Sequence, residues 1–296
     1  YEGQIDRRPA AALSLVLMVL ALAIVFGERR TRGRSGYQTV RPRRHRSLAQ
    51  LGKWPRAFAI GFLGIYTGLA LVGPISVLVF WLVRGVGAGQ PLGSMWDETL
   101  RSVGVSVAAA AVAAVAAFPV AMVTTRKLGR FSNLAESTVW SVYSLPHIAV
   151  GVAVVAFALT WARSLYQTLI LLLLTYVAMF LAQAVSTTQD SLRRAGPDLE
   201  DASRGLGKGQ LSTLARVTVP LARPGMLAGA ALVFLSVMKE LPATLLLRPN
   251  GFETLAIRIW STTGEGFYTR AAVASLALLA VSILPLLGVM SRDLSD

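Results

Sequence analysis

Lys239 and Glu240 stand side by side within a long apolar segment, and Pro242 follows two residues after the acid. A charge carried into the centre of a membrane-sized apolar run costs roughly 2.5–3.5 kcal/mol on insertion scales, so such a pair needs a reason. Adjacent helical positions point about 100° apart, and the two charges need not pair with each other. Pro242 can break the helix, and the carbonyls it frees must line a cavity or meet neighbours. Lys239, Glu240 and Pro242 are therefore assigned to a solute pathway. One carboxylate offers a hard oxygen to a small, highly charged cation, although it is far from a full coordination shell. Two plainer readings of Glu240 stand beside this one. It holds the broken helix by accepting hydrogen bonds or pairing with an arginine on a neighbouring span, or the charged pair lies near the outer interface and snorkels to water.

Little else in the chain resembles catalytic chemistry. The two histidines, His45 and His147, are far apart and lie in different kinds of segment, and there is no cysteine. Thiol catalysis and thiolate metal sites are thereby excluded. No G-x-x-x-x-G-K-[ST] phosphate loop, G-x-S-x-G elbow or H-E-x-x-H pair occurs, and the run from Gly205 to Gly209 resembles a phosphate loop only superficially. No catalytic residue, metal site or cofactor is assigned.

The second informative stretch is a polar island, LEDASRGLGKGQLSTLARVTVP, from Leu199 to Pro220. Asp198 can cap a first short helix, with Glu200 and Asp201 in its first turn, where the helix dipole favours acids. Leu199, Ala202 and Leu206 fall on one face. Gly207 can supply the left-handed residue that ends this helix. A second helix runs from about Gln210, with Leu211, Leu214 and Val217 as its apolar stripe, and Pro220 closes it. Between membrane spans such a pair has no lipid to cover its apolar face. It must pack on its own chain or on a partner.

This island resembles the signature loop of type I ABC importer permeases, E-A-A-x3-G-x9-I-x-L-P. The acid falls at Asp201, the small residues at Ala202 and Ser203, the glycine at Gly207, and the closing group at Val217, Val219 and Pro220. The spacing is kept throughout, with conservative departures of Asp for Glu, Ser for Ala and Val at both aliphatic sites. The resemblance implies that residues 198–220, with Glu200, Asp201, Ala202, Ser203, Gly207, Leu211, Leu214, Val217 and Pro220, form a coupling loop. In that family the loop docks in a groove on the ATP-hydrolysing subunit.

The elements that must position these residues are membrane helices. The chain is 54% hydrophobic and 15% charged, with mean hydropathy +0.58. Seven apolar segments are candidate spans: Pro9–Phe26, Ala57–Val83 broken by Pro74, Thr99–Val123, Leu134–Leu159, Leu165–Val185, Pro224–Leu247 and Ala271–Met290. The alanine-rich third span belongs inside the bundle, and Gly225 and Gly229 suit close helix packing. With the island in the cytoplasm, inner loops and tail carry 20 of the 29 Lys and Arg residues and outer segments carry 7. The positive-inside rule then fixes the orientation, with a cytoplasmic C-terminus. The net charge of +14 belongs to these loops, chiefly the basic linker Gly27–Arg56, and no nucleic-acid partner is expected.

Arg8-Pro-Ala-Ala-Ala-Leu-Ser-Leu at the first span echoes Arg270-Ala-Ala-Val-Ala-Ser-Leu-Ala at the last. The chain also opens on Tyr1 rather than Met, as a processed chain or a fragment would. Four regions are accordingly drawn: residues 1–27 as the final helix of a preceding permease half, 28–56 as a cytoplasmic linker, 57–98 as the first helix of a second half with its outer loop, and 99–291 as the transmembrane domain. The segment Met238–Pro249, with GFETLA at 251–256 and Ile259-Trp260, is similar to the fused ferric-iron branch of type I permeases. That resemblance implies an all-α polytopic membrane protein of seven spans in the plasma membrane, which is the inner membrane if the cell is Gram-negative. It implies ferric-iron import driven by two copies of an ATP-binding subunit. The other implied partners are an extracytoplasmic substrate-binding protein, a second permease half or copy, and the lipid bilayer. Permeases for thiamine, phosphonates or polyamines are similar enough to stand as alternatives. An ion-driven secondary transporter or a membrane scaffold is a rival outside the class.

Overall fold

The computed structural model describes residues 52–126 and 129–293 together with Val16 and Val19, with side chains described to Ile283 and at Pro285. The first candidate span, the linker to Leu51, the echo's first copy and Lys127 lie outside the described residues, Val16 and Val19 apart. Every regular element among the described residues is helical. In order they are α1 (Lys53–Gly87), α2 (Trp96–Arg126), α3 (Arg130–Tyr143), α4 (His147–Trp161), α5 (Leu169–Ala195), α6 (Asp198–Gly205), α7 (Gln210–Met238), α8 (Pro242–Leu247), α9 (Leu255–Gly264) and α10 (Tyr268–Asp293). Four of these, α1, α2, α5 and α7, are long and apolar enough to cross a membrane, and α3 with α4 makes a fifth if the bent pair is one span.

Two proline expectations are corrected. Pro74 does not break its span, and Pro220 does not close the helix it sits in. Each follows a single π turn, Gly68–Val72 in α1 and Leu214–Thr218 in α7, and each enters the first turn of the helix that continues. In a π turn the amide reaches back five residues; Gly73 N–H meets the Gly68 carbonyl and Val219 N–H meets that of Leu214. The widened turn relieves the carbonyl against which a proline ring would otherwise clash. The fourth span is corrected the other way. It is not one straight helix but two, bent by 104° at Ser144–Pro146. The sixth begins earlier, at Gln210, and α7 ends at Met238, with α8 starting afresh at Pro242.

The core lies where α2, α5 and α7 cross. Leu172, Tyr176, Met179, Val185 and Leu192 of α5 are buried, with Ala109, Ala113, Ala117 and Ala121 of α2 packed into the same interior. Alanine has no side chain to hold backbones apart, which is why α2 is the central span that its composition predicts. Gly225 and Gly229 of α7 are similarly explained. A Cβ at Gly229 would come within 2.7 Å of Ala184 Cα, and one at Gly225 would strike the Thr187 carbonyl of α5. The Ser191 hydroxyl accepts the Gly225 N–H at 3.1 Å, and Gln189 donates to Thr124 across α2 and α5 at 2.6 Å. By contrast α1 packs through its second half on α10, while Lys53–Thr67 has no buried residue.

Candidate functional site

The polar island folds as α6 and the first turns of α7, so the second short helix expected from about Gln210 is instead the start of a span that runs on through the π turn to Met238. Asp198 is the first residue of α6 and makes no cap; Pro197 occupies the N-cap position. Gly207 takes φ +78°, and the turn it permits closes two carbonyls. Gly207 N–H donates to Arg204 at 2.9 Å and Lys208 N–H donates to Ser203 at 3.2 Å, the paired bonds of a Schellman motif. Ser203 Oγ lies 3.0 Å from Thr213 Oγ1, tying α6 to the start of α7. Asp201 and Ala202 are exposed, Leu214 and Val217 are half-buried, and Pro220 lies within α7.

Glu200 turns the other way. Its side chain is only 5% exposed, and its Oε1 accepts from Arg126 Nε at 3.2 Å and Nη2 at 3.0 Å. The same Nη2 donates to the Gly196 carbonyl at 2.9 Å and the Leu192 carbonyl at 3.3 Å. The last turn of α5, where carbonyls carry the negative end of the helix dipole, thus shares its guanidinium with the loop's acid. The apolar face finds no such partner. Leu199 is 52% exposed, and Leu206 and Leu211 are each 82% exposed. Full burial of a leucine stabilises by about 1.5–3 kcal/mol, so this face leaves substantial apolar contact unmade.

The second site is where two broken helices meet. The elbow between α3 and α4 puts His147 at the first position of α4, and the gap between α7 and α8 puts Glu240 just before Pro242. His147 Nδ1 lies 2.7 Å from Glu240 Oε2. The other oxygen, Oε1, accepts the Ala243 N–H at 3.1 Å, one of the donors that a helix start leaves free. Thr244 Oγ1 donates to the Glu240 carbonyl at 2.8 Å and lies 2.6 Å from Tyr176 OH of α5. His147 packs edge-on to Phe180, and Gly151 of α4 lets Leu246 and Ala243 of α8 approach closely. Glu240 is 4% exposed. Its partner across the interface is a histidine rather than an arginine. Lys239 points away, exposed, into a cleft of about 600 Å³ that is lined by Leu241, Ala256, Ile259, Trp260 and Thr263.

The segment after α8 is pinned over α2. Arg258 donates to Glu98 at 2.6 Å, Ser102 Oγ accepts the Leu255 N–H at 2.8 Å, and Arg101 donates to the Gly251 carbonyl at 2.6 Å. Sequence reading missed His147, Arg126 and this clamp. Pro146 marks the elbow beside His147 and is visible in the sequence; nothing local reveals Arg126 as the partner of a residue 74 positions away.

A bundle of apolar helices with one short polar helix, α6, set between the spans α5 and α7 is the fold of a type I ABC importer permease. The chain belongs to the family of binding-protein-dependent transport system inner membrane components, whose sequence profile matches residues 117–292. It is a multi-pass membrane protein of a transport family, not an enzyme family. It is 30% identical over 294 residues to the Fe(3+)-transport system permease protein FbpB 2 of Haemophilus influenzae, a match that covers 96% of this chain and 57% of that protein. The chain thus spans little more than half the length of that relative. It is 28% identical over 193 residues to PhnV of Salmonella typhimurium, described as a 2-aminoethylphosphonate transport system permease, covering 65% of this chain and 72% of that one. Its fold matches a chain of the MetNI methionine ABC transporter solved in inward-facing conformations. There the TM-score is 0.50 at 18% identity, over 67% of this chain and 95% of that one.

Proposed function

We propose that this chain is the translocating part of an ABC importer that moves ferric iron into the cytoplasm, driven by ATP hydrolysis on separate subunits. The observation that carries the reading is the uncovered apolar face of Leu199, Leu206 and Leu211 on a helix pair otherwise tied to the bundle. A face of that kind fits a groove on an ATP-binding subunit, two copies of which would serve two permease halves. Residues 1–27 then end a preceding half, 28–56 link the halves in the cytoplasm, 57–98 open the second half and 99–291 form its transmembrane domain, with the loop at 198–220. An extracytoplasmic binding protein delivers substrate to the opposite side. Lys239, with its cleft, and Glu240 and Pro242 at the helix break border the pathway, where an arriving cation competes with His147 for the Glu240 carboxylate. Iron is favoured over phosphonate because the ferric permease relative is similar across nearly the whole chain.

The test is uptake of radiolabelled ferric iron by vesicles holding the permease, its ATP-binding subunit and its binding protein. ATP-dependent accumulation of iron is expected. Equal or greater accumulation of 2-aminoethylphosphonate with no iron uptake would move the substrate to the second reading. Orientation is checked separately: a reporter inserted after Ser212 is expected to behave as cytoplasmic, like one at the C-terminus, and one at Gly264 as external. The reverse pattern overturns the topology.

A further inference from the structure

The covalent tie of the loop to α5 is a short joint that turns at one glycine. Only Gly196 and Pro197 separate α5 from α6, and Gly196 sits at φ +68° and ψ 172°, a backbone conformation that only glycine adopts readily. Without a further contact, a push delivered to α6 would reach the bundle only through this glycine and the turn into α7. The Arg126 guanidinium bridges the joint. It bonds the Leu192 carbonyl before it, the Gly196 carbonyl within it and the Glu200 carboxylate beyond it. Arg126 is itself the last residue of α2, so one side chain ties α2, α5 and α6. At the far end, the Ser203–Thr213 contact and the Gly207 turn hold α6 against α7.

We propose that Arg126 is a positioning residue that gears the loop to the bundle, clamping α6 through Glu200 so that displacement of the loop moves the inner ends of α2 and α5 with it. This rests on the loop being the docking element for the ATP-binding subunit. A planar guanidinium can serve acceptors in three directions at fixed geometry, and a lysine ammonium cannot reproduce that fork.

The 296 residues hold no cysteine, so introduced thiols are unique within them. Spin labels on cysteines placed at Leu206 and at Val115, an exposed position of α2, report the loop-to-bundle distance in nanodiscs. A narrow distance distribution is expected for the parent, and a broad one for Arg126→Gln and Glu200→Gln. In the same variants iron uptake is expected to fall by roughly ten-fold while ATP hydrolysis by the bound subunit persists, so that more ATP is used per ion carried. Arg126→Lys is expected to recover part of the loss. A structural role alone would lower assembly, hydrolysis and uptake together. If Arg126→Gln does not assemble, Glu200→Gln, which leaves the arginine its two carbonyls, carries the same expectation. Unchanged distances in both variants overturn the proposal, as does an unchanged ratio of ATP to iron. If a cysteine at Leu206 in the parent does not cross-link to the ATP-binding subunit, the docking reading fails and the gearing proposal fails with it. Normal cross-linking with unchanged distances overturns the gearing alone.

Discussion

Glu240→Ala is expected to abolish iron uptake and to destabilise the protein, whereas Glu240→Gln is expected to cut uptake severely and leave the fold intact. The alanine variant strands one buried and one half-buried partner at once. The Ala243 N–H at the start of α8 loses its acceptor, and His147 loses the group that holds it at the elbow. The orphaned buried N–H of Ala243 costs about 1–3 kcal/mol, so a loss of several degrees in Tm and poorer recovery of the monodisperse protein should follow. Glutamine keeps the shape. Its carbonyl oxygen can take the Ala243 N–H, and its amide can donate to His147 Nδ1 in the tautomer protonated at Nε2. What it removes is the negative charge. A multivalent cation passing the break would therefore lose its one anionic contact there, and uptake should fall by about ten-fold or more with basal ATP hydrolysis unchanged. Iron uptake at the parent rate in both variants would show that Glu240 has no part in the pathway. A glutamine variant that unfolds like the alanine one would make the carboxylate a purely structural link between two broken helices.

How far the sequence predicts this arrangement depends on how local the cause is. The turn at Gly207 is readable because the need for positive φ, the acids before it and the leucine stripe all lie within one stretch. The central placement of α2 is readable for a similar reason, since a run of alanines suits a helix crossed on several sides. The prolines misled because a proline states only that one amide is missing. Whether the helix stops, bends by 104° as after Ser144, or runs on through a π turn as at Pro74 and Pro220 depends on what packs around it. The pairings of His147 with Glu240 and Arg126 with Glu200 were hidden because their partners are 93 and 74 residues apart: the packing of α4 on α8 brings the first pair together, and the crossing of α2 with α5 brings Arg126 to the start of α6.

Replacing Leu206 and Leu211 together by aspartate is expected to prevent the ATP-binding subunit from binding while leaving the permease itself unharmed. Both side chains are 82% exposed, and the turn between them is held by backbone bonds and by Ser203 with Thr213. Surface changes away from packed contacts alter stability by about 0.5 kcal/mol or less, so the variant should insert and melt like the parent. In the complex the same two positions would be buried. Losing about 1.5–3 kcal/mol at each weakens binding by roughly two to four orders of magnitude, before the cost of desolvating two carboxylates is added. Leu206→Met with Leu211→Met is the control, since methionine keeps the volume and apolar surface and should hold affinity to within about ten-fold. The measurement is titration of the ATP-binding subunit onto permease in nanodiscs, with transport assayed in parallel. Undiminished binding by the aspartate pair would mean that the leucine face is not what the subunit grips. Lost binding in the methionine pair as well would mean that the geometry of the turn, rather than its apolar surface, sets the contact.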